Sequence, residues 1–181
     1  MPRIEMLERE AMDARQQQVH DEIVAGPRGG TRGPFQAWLR SPELADRGQK
    51  LGEFCRYNTS LGPRLSELAI LVTARHFTAQ FEWYAHAPMA ARAGVDDAVI
   101  EAIRTRATPQ FDKEDEATVY AFASEYYASH RVSDETYQRA KTLFGERGVA
   151  DLVGVMGYYM LVSATLNVFE MDTPDGDVLD P

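Results

Sequence analysis

The sequence predicts an all-α fold, a compact bundle of about eight helices. Three observations carry this expectation. Apolar residues recur at helical spacing along most of the 181-residue chain. Alternating strand-like runs are absent. Proline, serine or aspartate stands where helices should start, and glycine where they should stop.

The elements follow in order. Residues from Ile4 to Val24 read as an amphipathic helix with Leu7, Ala11, Ala14, Val19 and Ile23 as its buried stripe. The segment Gly26-Pro-Arg-Gly-Gly-Thr-Arg-Gly-Pro34 then breaks it, because glycine and proline end helices and allow unusual backbone angles. It is no phosphate loop, since it lacks Gly-Lys-Ser/Thr and a preceding strand. It is either a surface turn or a loop that holds Arg28 or Arg32 over a pocket. Phe35 to Arg40 is a short helical piece, and Pro42 to Tyr57 a longer one, with Pro42 suited to the first turn after Ser41. Pro63 opens the next helix in the same way, through Leu65, Leu68, Ala69, Leu71 and Val72. The helix after it runs to Gly94, a good stop. Asp96 can cap Asp97–Arg104; Asp112 and Ser133 can cap helices near Lys113–His130 and Asp134–Phe144. An apolar helix from Val149 to Glu170 and an acidic tail close the chain. The expected organisation is one domain over 1–181: an N-terminal helical extension (1–60), motif helices (61–105) and an apolar closing helix (149–171).

Composition excludes several function classes. Hydrophobic residues at 44% and charged ones at 26% are ordinary for a soluble globular protein. A net charge of −9 argues against nucleic acid or an anionic membrane as partner. An anionic substrate would need a local positive charge to receive it. The single cysteine, Cys55, excludes an internal disulfide, a dithiol redox centre and a cysteine-based metal cluster; it reads as a small hydrophobe. The opening Met-Pro-Arg-Ile-Glu-Met-Leu-Glu lacks the basic start and apolar run of a signal peptide, so a cytoplasmic protein is expected. Leu152 to Phe169 is almost uncharged and long enough to span a bilayer. It carries Gly154, Gly157, Ser163, Thr165 and Asn167, its two tyrosines lie mid-segment, and no basic cluster flanks it. A helix apolar all round is better read as a core helix or an oligomer contact.

The chemistry concentrates in Glu82-Trp83-Tyr84-Ala85-His86. A carboxylate and an imidazole four apart on a helix share a face, with Cβ atoms about 5–6 Å apart. If Arg64 to Arg92 were one helix, Arg75, Ala79, Glu82 and His86 would form one stripe, and Glu67 would lie off it by roughly 80°. A break near Thr78–Phe81 would instead fold Glu67 back over the pair, and Pro88 should kink the helix. Such a set supports proton transfer beside an anion. His86 can act as acid or base, Glu82 or Glu67 can orient it, and Arg75 offers a planar fork for a carboxylate. Glu67 sits in an otherwise apolar run and must find a partner or shift its pKa. His76 and Tyr84 are further candidates for contact with a substrate. Trp83 reads as packing, and His20 and His130 as structural.

The stretch Glu67–Ile103 resembles the carboxymuconolactone decarboxylase family, which includes alkyl hydroperoxidase D. The shared pattern is a glutamate on one helix, two key positions three apart, a histidine four further on, then small residues and a glycine before a capped helix. Here these are Glu67, Ala79 and Glu82, His86 and Gly94. Gly157 to Glu170 is similar to the family's closing helix. In the peroxidase branch the two key positions are cysteines. Ala79 and Glu82 remove the thiolate that peroxide reduction needs, so the pattern is similar to the decarboxylase branch. The resemblance implies an all-α homo-oligomer (dimer, trimer or hexamer) that needs no cofactor and acts on a small organic acid or lactone. It implies His86 as proton donor or shuttle, with Glu82 and Glu67 orienting it or sharing the proton, and Arg75 as an anion clamp. His76, Arg28 and Tyr84 complete the substrate contacts. Two other readings stay open: a metal-dependent enzyme using Glu67, Glu82 and His86, and a binding protein that kept the fold without the chemistry.

Overall fold

In the computed structural model, residues 2–174, 176 and 178–180 are described. Among them the regular elements are helical only: α1 (Ala14–Ala25), α2 (Phe35–Trp38), α3 (Pro42–Glu53), α4 (Gly62–His76), α5 (Gln80–Ala93), α6 (Asp97–Arg104), α7 (Glu114–Ser129) and α8 (Asp134–Val168). A single 3₁₀ turn at Arg9–Ala11 precedes α1, and a π-helical turn at Phe54–Asn58 follows α3. The all-α expectation therefore stands.

The first expected helix is shorter than its periodicity suggested. It starts at Ala14 because Asp13 caps it: the Asp13 side chain accepts from the Gln16 backbone N–H, and the Gln16 side chain accepts from the Asp13 backbone N–H. This reciprocal pair satisfies two end groups and fixes the start. Of the expected stripe, only Val19 and Ile23 are buried in α1; Met12, not Ala11, is the buried residue just before it. Pro42 and Pro63 do sit in the first turns of α3 and α4, and Gly94 ends α5 with φ of 93°. Asp96 and Ser133 cap α6 and α8 through Ala98 and Thr136. Asp112 does not cap α7, whose N-cap is Lys113. Instead Glu114, Asp115 and Glu116 fill the first turn, where the helix dipole favours them. The expected pair Asp134–Phe144 and Val149–Glu170 is one element broken at Gly145, the residue with non-helical angles inside α8.

α4 is the central element. Every residue from Leu65 to Arg75 is buried, and the helix packs on α5, α7 and α8. Leu68, Ala69, Ile70 and Leu71 are fully enclosed on successive faces, so this helix has no solvent side. A truncation such as Leu68→Ala should cost about 2–5 kcal/mol. The second half of α8 lies along α4 and buries Leu152, Val155, Met156, Val162 and Leu166. It is long and apolar enough to cross a membrane, yet most of its apolar window is buried inside the fold, as a core helix would be. Trp38 reaches it from α2: its indole N–H donates to Thr165 Oγ1 at 2.9 Å, 127 residues away. Trp83 is buried in the same core, as expected for a packing residue.

Candidate active site

The decisive local feature is the interruption between α4 and α5. Thr78 adopts a left-handed conformation (φ 49°), and Ala79 is the fully buried N-cap of α5. The chain turns there, so α5 runs back against α4. This folds Glu67 over His86: Nδ1–H of His86 donates to Glu67 Oε2 at 2.7 Å, and both side chains are about nine-tenths buried. Of the two geometries open to the sequence, the break is the one realised. Pro88 lies inside α5 without ending it.

Glu82 has a different partner from the one its spacing suggested. Its Oε2 accepts from Ser163 Oγ of α8 at 2.9 Å, and its Oε1 is buried without a hydrogen-bond partner. Burial pushes its pKa well above the usual carboxyl range, and the Ser163 hydroxyl only partly opposes this. The acid is thus favoured in its protonated form. His86 is oriented by Glu67, not by Glu82. Once Nδ1 is engaged, Nε2 is the ring nitrogen left for another group. The Tyr159 ring meets the imidazole edge-on, with centroids 5.0 Å apart.

His86 and Glu82 line one cavity of about 710 Å³. Tyr84, Tyr158 and Tyr159 line it too, as do Arg28 and Arg32 of the glycine-rich loop and Arg56 of the π-helical turn. The loop packs close to α5: Gly33 has φ of 65°, and a Cβ there would lie 2.9 Å from the Phe81 ring. Only glycine accepts both conditions. Of the two readings open for residues 26–34, the loop over a pocket is the one seen. The Arg28 guanidinium lies over the Phe35 ring at 4.6 Å. Arg56 Nε is buried without a hydrogen-bond partner, and Arg28 Nη2 and Tyr158 Oη form no well-aligned bond, although the Arg28 guanidinium lies close enough to act on the Tyr158 hydroxyl by hydrogen bonding and by charge. Burial nonetheless pushes that hydroxyl's pKa up to about 12, so it remains a donor.

Arg75 and His76 are not part of this cavity. They line a separate cleft of about 380 Å³ with Arg106, Tyr120, Ser124 and Tyr127. Arg75 Nη2 donates to the Asp180 carbonyl at 2.8 Å, and His76 stacks on Tyr127 with centroids 4.6 Å apart. The single-helix count that aligned Arg75 with Glu82 fails because the helix does not continue past His76. Sequence reasoning also missed Ser163, Arg56, Tyr158 and Tyr159. Ser163 and the paired tyrosines were visible as polar interruptions of an apolar helix. Arg56 gave no signal.

Cys55 is fully buried, and burial, reinforced by Asp151, pushes its thiol pKa up to about 11. It does not line the cavity. Among the described residues no group of three or more His, Cys, Asp or Glu side chains is arranged to hold a metal ion. Glu67 and His86 meet each other, while Glu82 is turned to Ser163.

No protein-family model matches the chain, and no curated protein matches it in sequence. Its fold has a clear counterpart among solved structures. An uncharacterized peroxidase-related protein from Ralstonia eutropha, with an alkylhydroperoxidase AhpD core, superposes with a TM-score of 0.76 at 14% identity, over 96% of this chain and 93% of the other. The chain therefore has the alkylhydroperoxidase D-like fold.

Proposed function

We propose that this protein is an acid–base enzyme of the carboxymuconolactone decarboxylase type, decarboxylating or isomerising a small organic acid or lactone. The observation that carries the reading is the buried Glu67–His86 hydrogen bond beside a second, isolated carboxyl group, Glu82, on one cavity. Two acid–base groups with different environments are what a reaction needs when it adds a proton at one atom and stabilises charge at another. In the decarboxylating case the carbon–carboxylate bond breaks and carbon dioxide leaves. The electron pair moves into a conjugated carbonyl, and the carbon takes one proton. Glu67 is a positioning residue that fixes the ring of His86, and Nε2 of His86 moves the proton. Protonated Glu82 donates to the oxygen on which negative charge develops. Tyr84 borders the substrate. The isomerising case uses the same groups, with proton removal at one carbon and return at another. The reading assigns no cofactor and places the enzyme in the cytoplasm.

The test is turnover on a panel of small unsaturated lactone acids, followed by carbon dioxide release and by deuterium incorporation from heavy water. His86→Ala and Glu82→Ala should each lower the rate by about 10²–10⁴-fold with helix content unchanged. Full activity in both variants would remove the assignment. The neighbouring structure is described as peroxidase-related, but this chain lacks an accessible thiolate. No dithiol-dependent peroxidase activity is expected, and robust activity dependent on Cys55 would contradict the reading.

We further propose that the enzyme is a homo-oligomer assembled through α8. Val153, Gly157, Leu161, Ala164 and Val168 are exposed at spacings of three and four residues and form an uncharged stripe. Leu161→Lys should shift the protein to monomer in light scattering; an unchanged mass would exclude this face.

A further inference from the structure

We propose that Arg28 and Tyr158, held side by side against Gly52, form a carboxylate-anchoring subsite on the cavity wall, with the charge of Arg56 alongside, and that the ligand is an organic acid with an uncharged, largely apolar body. The subsite takes its catalytic meaning from the acid–base reading, but its binding role stands apart from it.

Three polar groups lining this cavity lack a well-aligned hydrogen bond: Arg28 Nη2, Arg56 Nε and Tyr158 Oη, though Arg28 and Tyr158 lie close enough to act on each other. Buried donors without partners are uncommon, because each forfeits its hydration. They come from three separate parts of the chain: the glycine-rich loop, the π-helical turn and α8. Local backbone geometry therefore does not explain their meeting. Gly52 shows how close two of them come. A Cβ on it would lie 2.2 Å from Tyr158 Oη and 2.9 Å from Arg28 Nη2. Both groups thus pack against the bare backbone of α3 at Gly52, which holds them side by side at the wall of the cavity they line. A guanidinium fork and a neutral hydroxyl, both donors, match the acceptor-only chemistry of a carboxylate. Arg56 adds charge: its Nη2 is spent on the soft Sδ of Met89 at 2.9 Å, a weak acceptor, and its guanidinium lies over the Tyr57 ring at 5.2 Å, contacts that leave it cationic. In a molecule of net charge −9, this is a local positive field in a walled cavity, where it acts at short range.

The position sorts the chemistry. A carboxylate gripped by a guanidinium is stabilised as it stands, which opposes its loss as carbon dioxide. The anchored group is the handle and not the leaving group. The remaining body of the ligand extends past Tyr159 and Val162, both cavity-lining, toward His86 and Glu82. A substrate with this one carboxylate is then isomerised and not decarboxylated.

The experiment is calorimetric titration of the full chain with acetate, benzoate and 2-naphthoate, each against its amide. At least one aromatic acid should bind about tenfold or more tightly than its amide, the usual size of a charge-assisted hydrogen bond. Arg28→Gln should reduce that preference to about twofold or less and leave amide binding alone. Gly52→Ala should weaken acid binding in the same way, with circular dichroism reporting an intact helical fold. The proposal is overturned if no acid is preferred over its amide, or if the preference survives Arg28→Gln. His86→Ala should keep the preference. If acids are preferred but turnover ignores His86, the acid–base reading fails and the subsite stands. If turnover needs His86 but acids are not preferred, the subsite alone fails.

Discussion

Two clefts of this molecule each combine a histidine with arginines, and they differ in what faces the imidazole. In the larger cavity His86 meets a carboxylate, Glu67, at 2.7 Å. In the smaller cleft His76 stacks on Tyr127, and burial, Arg106 and His130 together disfavour its protonated form. Both clefts hold buried guanidinium nitrogens without partners: Arg56 Nε in one, Arg75 Nε and Nη1 in the other. Unsatisfied cations alone therefore do not mark the site of chemistry. The difference lies in the anchored imidazole and the neutral acid beside it. On the proposed function, His86 is a proton-transfer group through the neighbour that fixes its ring, not through its proximity to charge.

Within this comparison the largest expected effect comes from breaking that neighbour. Glu67→Gln should lower turnover by about 10²-fold, because the amide leaves the ring orientation and tautomer unenforced. The pH profile should shift along with the rate, and Glu67→Asp should recover part of it; a purely structural role would move neither. Arg75→Ala is the matched control in the other cleft. It should leave turnover within about twofold, since Arg75 shares no cavity with His86. A large loss in Arg75→Ala and none in Glu67→Gln would reverse the comparison.

Much of this site was legible in the sequence. Glu67, Glu82 and His86 stood out by residue type and spacing; Glu67 meets His86, and Glu82 lines the same cavity as His86. Their pairing was not legible. Counting at 100° per residue assumes a continuous helix, and one left-handed residue, Thr78, invalidates the count on either side of itself. It therefore misplaced Arg75 relative to the pair while sparing Glu82 and His86, which share α5. Ser163, Tyr158 and Arg56 come from elements far along the chain, and only the packing of α8 and the π-helical turn brings them in. The same distinction holds for the fold. Pro42, Pro63, Gly94 and Ser133 mark helix ends by local chemistry and were readable. The start of α1 was lost because the Asp13–Gln16 capping pair interrupts a periodicity that seemed to run through it.

A smaller effect tests the state of Glu82. The folded protein binds the Glu82 proton more tightly than the unfolded chain does, because burial raises the folded pKa. Its contribution is fully present below the unfolded carboxyl value. It is lost progressively as pH rises above that value toward the folded pKa. Glu82→Gln keeps the shape and the Ser163 partner but has no proton to lose. The variant should match the wild type in thermal unfolding near pH 5 and exceed it increasingly toward pH 8. Parallel melting curves across that range would show that Glu82 is not held neutral by burial.

The smallest effect concerns the residue that separates the two clefts. Thr78 is β-branched and sits at φ 49°, a conformation that costs roughly 1–2 kcal/mol for most residues and less for asparagine. The fold keeps it because the turn must reverse direction between His76 and Ala79. Its side chain accepts a 3.3 Å bond from exposed Arg106, which asparagine can also accept. Thr78→Asn should therefore stabilise the protein by about 0.5–1 kcal/mol. That is a rise of roughly 1–4 °C in Tm for a chain of this length, with turnover unchanged. A loss of stability would show that the hydroxyl or its methyl group contributes more to the break than the strained backbone takes away. The turn that brings Glu67 to His86 would then be held by side-chain contacts, not merely tolerated by the backbone.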